Sequence, residues 1–398
     1  MRRFGTFLAV VSLILLGWHY YLWARLVRDT ALPAPWDSVA LLALIVLAAG
    51  IAGGFSIRRA WPRRVSGPVL WFVYTWMGLG FFLLVLLAGA DVARLLLDGA
   101  AYAGITGAEA PPSQEGARIA ALGVTLTALV LTAFSLRGAS AGAVRVKHVK
   151  VTLAKLPREL DGYRIAQISD LHVGPTIGRR YVEWVVAKTN ALRPDLVAIT
   201  GDLVDGTVAE LGGHAEPLGR LASRDGTFFI TGNHEYYSGV EDWLAWHAAR
   251  GIRVLRNERV PIRGIESGTT GFDLAGVDDR SGRGYGRGHG SSLARALEGR
   301  DPKRALVLLA HQPRQIDEAA RYGVDLQLSG HTHGGQLFPF NYLVKLFEPY
   351  IAGRYVVGAS QLYVSRGTGY WGPPMRLGAA AEITLIELRS ERSAPVPA

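Results

Sequence analysis

Along the first third of the chain the apolar positions run continuously instead of alternating with polar ones. Residues 4–24 (FGTFLAVVSLILLGWHYYLWA), 39–57, 69–90 and 119–136 each hold close to the roughly 20 apolar residues that a helix needs to cross a hydrocarbon core, and they predict four spans. Trp18, Tyr20, Tyr21, Trp23 and Trp71 fall toward the run ends, where amphipathic rings favour the interface. The first run has the basic start MRR of a signal peptide. The bulky WHYYLWARL follows it in place of a small-x-small cleavage site, so it predicts a retained anchor. The fourth run carries no charge between Ile119 and Leu136 and no polar stripe, which favours a span over a surface helix.

Past residue 137 the pattern changes. RGASAGAV suits a short linker, and the alternating VRVKHVKVTL reads as an edge or hairpin strand. Short apolar runs then alternate with helical patterns: YRIAQISD, YVEWVVAKTNAL, DLVAITGD, TFFITGNHE, VEDWLAWHAARG, RALVLLAHQ and VDLQLSGHTHGG. This is the rhythm of a layered α/β fold. The expected organisation is a helical transmembrane region over 1–137, a linker over 138–145, a soluble domain over 146–390 and a disordered tail over 391–398.

Charge orients this arrangement. The flanks MRR, IRRAWPRR and RGASAGAVRVKHVK are basic, whereas the third connection carries Asp91, Asp98, Glu109 and Glu115 against Arg94 and Arg118. Basic loops stay on the cytoplasmic side, so both ends are expected there, with the chain multi-pass in the cell inner (plasma) membrane. Arg25 and Arg28 in the first connection weaken the contrast without reversing it. Attraction of these flanks to anionic membrane lipid accounts for much of the formal charge of +10. Nucleic acid is therefore not an expected partner, and no aromatic-and-basic stacking run supports one. Charges stay out of the span centres, which points to anchoring over transport. The chain has no cysteine, which excludes disulfides and thiolate metal sites.

The chemistry sits at five strand ends: ISDLH, ITGD, ITGNH, LLAH and LSGHTH. In open α/β sheets ligands bind outside the carboxyl ends of strands, so these ends are expected to converge. Asp170 and His172 are two apart, as are His331 and His333, and in extended chain such pairs point the same way. With Asp202, Asn233 and His311 the candidates comprise two carboxylates, one amide and four imidazoles. That is too many for one tetrahedral zinc with an open position, and it suits two cations sharing a carboxylate. Imidazole and oxygen donors without sulfur favour Mn, Fe or Zn over Ca or Mg alone. The HE of His234 and Glu235 is not a zincin motif, because Ser238 stands where H-E-x-x-H needs histidine. Glu235 reads as a helix-start or supporting residue. His148, His214, His247 and His289 lie outside the motif set; Arg366 and Arg376 read as structural; and the aromatic LFPFNYLVKLFEPYIAG reads as a packing segment, a cap or a membrane-facing lip.

The ordered set DLH, GD, GNHE, H and GHTH resembles the calcineurin-like metallophosphoesterases, in particular a bacterial membrane-associated branch whose last motif reads GHTHGGQ. The resemblance covers roughly 149–388, including YVSRGTGYWGPPMRLGAAAEITLIEL. It implies an α/β four-layer sandwich following the N-terminal α-helical transmembrane bundle. It also implies two divalent metal ions, one on Asp170, His172 and His333, the other on Asn233, His311 and His331, with Asp202 bridging them and His234 acting on the leaving group. A hydroxide between the cations would attack phosphorus in line. The expected substrate is a phosphate ester or pyrophosphate on a small molecule or, given the anchor, on a lipid. The competing expectations are a non-catalytic sensor with a metal-binding domain and a metal-dependent nuclease.

Overall fold

The computed structural model describes residues 2–103, 114–263, 271–286 and 288–391. Glu109 of the third connection and the expected tail after Glu391 lie outside these residues. The chain divides into two compact units, Met1–Leu136 with Gly372–Met375, and Arg137–Trp371 with Arg376–Ala398.

The first unit is helical: α1 (Arg2–Trp23), extended by a π-helical turn at Ala24–Arg28, then α2 (Trp36–Ala60), α3 (Arg63–Tyr102) and α4 (Gln114–Gly138). All four are long and apolar enough to cross a bilayer. Apolar side chains such as Leu13, Leu42, Phe72 and Phe134 are exposed, as lipid-facing positions are, while Leu22, Leu70 and Phe82 pack inward. Buried His19 is satisfied locally, its Nδ1 2.9 Å from the Leu15 carbonyl and its Nε2 accepting from Trp76 Nε1 at 3.1 Å. The third helix departs from expectation. Asp91 and Asp98, read as part of a connection, lie inside α3, whose 40 residues span about 60 Å, twice the hydrocarbon thickness. Local pairing sustains the helix there: Arg94 meets Asp98 one turn on at 3.5 Å, and Asp91 accepts from Arg25 and from the Tyr21 hydroxyl.

The second unit opens with β1 (Arg145–Leu153), β2 (Tyr163–Ile168), α5 (Arg179–Ala191), β3 (Leu196–Thr200), α6 (Val208–Ala215), β4 (Thr227–Ile230), α7 (Asn233–Tyr237), α8 (Val240–Ala248) and β5 (Ile252–Val254). It continues through β6 (Glu258–Ile262), β7 (Phe272–Gly276), α9 (Leu293–Ala296), β8 (Leu306–Leu309), α10 (Ile316–Ala319), β9 (Leu326–Ser329), α11 (Phe340–Phe347), β10 (Gly353–Val357), β11 (Ser360–Val364) and β12 (Glu382–Ser390).

Two six-stranded mixed sheets result, ordered β1-β12-β2-β3-β4-β5 and β10-β11-β9-β8-β7-β6. Within the first, β2, β3, β4 and β5 are parallel neighbours; within the second, β7, β8, β9 and β11 are. The central strands read as unbroken apolar runs because both of their faces are buried. Ile165, Leu196, Ala198 and Ile230 share one core with Leu274, Val307, Leu309 and Leu328 of the other sheet. Their sequence neighbours Ala166, Val197, Ile199 and Phe229 turn instead toward Val182 and Val185 of α5, Leu211 of α6 and Trp243 of α8. Leu306 and Leu308 do the same against α9 and α10. Each fully buried side chain of this kind contributes about 1.5–3 kcal/mol, so the strands are rigid mounts for the loops at their ends.

Candidate metal centre

The expected site residues all follow β2, β3, β4, β8 and β9, three neighbours in one sheet and two in the other. Parallel strands end on the same side, so adjacency in the sheet brings their loops together. The local geometry is not the extended one expected for D-x-H and H-x-H. Asp170, His172, Asp202 and His333 have φ of 52° and His331 has 73°, the left-handed region that non-glycine residues rarely adopt. The side chains converge because the chain turns sharply after each strand. Each such residue costs on the order of 1 kcal/mol, and the surrounding hydrogen bonds hold the strain in place.

Those bonds run from backbone to buried carboxylates. Asp170 accepts the His331 N–H at 2.8 Å and Asp202 that of His234 at 2.9 Å. Fully buried Glu235 accepts from the N–H groups of Asp202, Leu203 and Gly232 at 3.0, 2.7 and 2.6 Å. Burial and the Asp202 charge push its carboxyl up to about 7 against these bonds. At Gly232 a Cβ would overlap the Asp202 carboxylate, and at Gly330 that of Asp170, so only glycine lets these backbones approach so closely.

Three groups of candidate donors form among the described residues, each with its atoms within 4.8 Å of one another: Asp170, His172 and His333; Asp202, His311 and His331; and, sharing His172 with the first, His172, Asp205 and His234. In the first, the Nε2 atoms of His172 and His333 face each other at 3.1 Å, with Asp170 Oδ1 3.6 Å from His333 Nε2. In the second, His311 Nε2 lies 3.1 Å from Asp202 Oδ2 and 3.2 Å from His331 Nδ1. Asp202 Oδ2 is also 3.9 Å from His172 Nε2, so this one oxygen stands between the groups. The Thr200 carbonyl accepts a hydrogen bond from His311 Nδ1 at 2.7 Å, which turns Nε2 toward the pocket.

The donor set fits cations. Asp170 Oδ2 and Asn233 Oδ1 are buried without a hydrogen-bond partner among the described residues, an arrangement that costs several kcal/mol unless something positive fills it. The electrostatics agree. Burial opposes charge on His311, yet Asp202, Asp170 and Asp279 push its imidazole well above the usual range. Burial likewise opposes ionisation of Asp202, but His311, His234 and His172 together hold its carboxyl well below the usual range. Burial and neighbouring His311 bring His331 down to about 4, and burial with His172 and Arg376 holds His333 well below the usual range. A neutral imidazole keeps a lone pair that can bind a metal.

Asp205 is a site residue that strand-end reasoning missed. Its Oδ1 lies 2.9 Å from His172 Nδ1 and 2.7 Å from His234 Nδ1, orienting both rings. Its signal was present in TGDLVD, three residues beyond Asp202. Burial works against charge on His234, but Asp205, Asp202 and Glu235 raise its imidazole to about 9. Exposed Tyr237 and Trp371 set their rings 5.3 and 5.8 Å from His234, and Gln336 holds the Trp371 backbone through bonds of 2.9 and 3.0 Å. Arg376 is buried and donates to the carbonyls of Gly369, His333 and Ala379; Arg366 pairs with Glu382 at 3.5 Å. His247 is buried between Phe229 and Trp243, away from the motif set, and His148 is exposed on β1.

A pair of mixed sheets that gathers carboxylates and imidazoles at parallel strand ends defines a class, the α/β domains built to hold metal. Residues 163–335 match the profile of the calcineurin-like phosphoesterase family. A transmembrane protein with metallophosphoesterase domain from Danio rerio is 36% identical over 400 residues, covering 97% of this chain and 90% of that protein. The protein of the same description from Bos taurus is 38% identical over 405 residues, 98% of this chain and 90% of the other. A metallophosphoesterase of Helicobacter pylori strain J99 is 38% identical over 270 residues, 67% and 70% of the two chains. The chain belongs to the calcineurin-like phosphoesterase family, as a membrane protein with a metallophosphoesterase domain.

Proposed function

We propose that the chain is a membrane-anchored, dinuclear metal-dependent phosphoesterase that hydrolyses a phosphate ester or pyrophosphate, with a lipid-linked substrate favoured by the anchor. The observation that carries this reading is the convergence of Asp170, His172, Asp202, His311, His331 and His333 into two donor groups around one shared carboxylate oxygen. On this reading Asp170, His172 and His333 would hold one cation and Asn233, His311 and His331 the other, with Asp202 available to both. Bound Mn, Fe or Zn would supply Lewis-acid polarisation of the phosphoryl oxygens and an activated water.

The chain's own residues do the rest. Asp205 holds the Nδ1 proton of His234 and favours the imidazolium, so Nε2 carries a proton for the departing oxygen. Asp205 also fixes the tautomer of His172. The rings of Trp371 and Tyr237 flank His234 and limit how a leaving group approaches it.

The proposed organisation keeps 1–137 as the anchor, 138–145 as the linker, 146–390 as the catalytic domain and 391–398 as a tail, with both ends cytoplasmic. The GHTHGGQ run and the Helicobacter pylori relative support a place in the bacterial membrane-associated branch. The test uses the full chain in a neutral detergent with manganese and an aryl phosphate or bis-phosphate. Turnover by the wild type that Asp202→Ala and His331→Ala abolish supports the reading; a wild type no faster than either variant refutes it.

A further inference from the structure

The edge strands β1 and β10 belong to different sheets, and between them lies a recess of about 390 Å³. Its charged lining is entirely basic: Lys147 and Lys150 from β1, Arg354 from β10 and Arg366 after β11, with His148 and Tyr363 completing the polar walls. Among the described residues no carboxylate lines it. Of the acidic groups nearby, Glu382 is buried, paired with Arg366 and accepting from the Tyr363 hydroxyl at 2.6 Å, and Glu387, in register with Lys150 on β12, is paired with Arg389. Lys147 and Lys150 are exposed and have no ion-pair partner among the described residues. The Arg354 guanidinium is held in place, Nη1 donating to the Lys150 carbonyl at 3.0 Å and Nη2 to Gln361 Oε1 at 3.0 Å.

Lysines on an edge strand also discourage strand-to-strand aggregation, and that alone would explain β1. It does not explain why arginines from two other segments line the same recess. Arg366 shares its charge with Glu382, but Lys147, Lys150 and Arg354 repel one another, and an anion relieves that repulsion; the planar fork of Arg354 suits phosphate oxygens. The source of the anion follows from the chain order. β1 begins seven residues after the last residue of α4, an apolar helix long enough to span, and Arg137 and Arg145 add to the same juxtamembrane basic run. Basic clusters at such positions attract anionic lipid headgroups.

We propose that the recess between β1 and β10 binds the phosphate headgroup of an acidic phospholipid of the membrane that carries the chain. This site lies outside the metal centre and does not depend on the phosphoesterase reading. Binding of the headgroup would weaken as salt rises.

The full chain, purified in a neutral detergent, tests this by thermal unfolding with water-soluble dihexanoyl phosphatidylglycerol, dihexanoyl phosphatidylcholine or inorganic phosphate. A saturable rise in unfolding temperature is expected with phosphatidylglycerol and not with phosphatidylcholine. Lys147→Glu/Lys150→Glu should weaken the apparent affinity at least about tenfold, with Lys147→Ala/Lys150→Ala intermediate. An unchanged response in both variants overturns the proposal, as does an equal response to phosphatidylcholine. A matching response to inorganic phosphate at equal concentration assigns the recess to a free anion and overturns the lipid assignment. Turnover of a soluble aryl phosphate by the two variants should equal that of the wild type. If the wild type has no turnover, the phosphoesterase reading falls while the lipid result stands.

Discussion

Asp205 and His234 concentrate the chemistry at the scale of single residues, because one carboxylate oxygen orients two imidazoles with different tasks. If His234 Nε2 protonates the departing oxygen, its loss matters most for a poor leaving group. His234→Asn should slow hydrolysis of an alkyl phosphate by roughly 10²-fold or more and that of a nitrophenyl phosphate far less, measured as kcat on the two substrates. Asp205→Asn should follow the same pattern, with an added loss of bound metal through His172. Asp170→Asn should lower metal content directly, read by elemental analysis of the purified chain, since it removes charge from a buried donor whose Oδ2 has no hydrogen-bond partner among the described residues.

Among the elements, β4 and α8 show how burial sets an acid limit on stability. His247 of α8 is fully buried, its ring 4.2 Å from that of Phe229, and neither ring nitrogen has a hydrogen-bond partner among the described residues. Burial, with Arg250 nearby, lowers its imidazole to about 3. The unfolded chain therefore binds this proton below the ordinary value of about 6.5, while the folded chain stays neutral down to about 3. Unfolding takes up the proton, so stability is full above about pH 6.5 and falls as pH drops through that window. Replacing His247 with Leu should flatten the fall in Tm between pH 6.5 and 4, and an identical slope in both proteins would show that other groups control it. Phe229→Ala, which opens a cavity at the same contact, should cost about 3–5 kcal/mol in denaturant unfolding.

The whole molecule depends on two sheets presenting their strand ends to one place, since Asp170, His172, Asp202 and Asn233 come from the first sheet and His311, His331 and His333 from the second. A cation held by residues of both sheets ties them together and binds the folded state alone. At a hundredfold excess over its Kd it should add about 2.7 kcal/mol, so EDTA should lower the Tm of the wild type and leave that of Asp202→Ala nearly unchanged. The expected orientation belongs to this scale as well. A phosphatase reporter fused at the C terminus should be inactive if that end is cytoplasmic, and activity would reverse the assignment.

What the sequence determined by itself is what local pattern encodes. Four apolar runs long enough for a bilayer needed no partner to be recognised, and the strand-helix rhythm followed from composition over windows of a few residues. The grouping of Asp170, Asp202 and His331 was legible because parallel strands must end together, whatever their order. The tertiary structure decided the rest, because the causes lie far apart in the chain. The left-handed turns at Asp170 and His331 depend on each other, 161 residues apart, through the bond from His331 N–H to Asp170. Asp205 became a site residue only when His172, 33 positions away, folded against it. The continuation of α3 through Asp91 rests on Arg25, 66 residues earlier. The basic recess exists because Arg354 reaches the Lys150 carbonyl across 204 residues, closing two sheet edges that no local pattern relates.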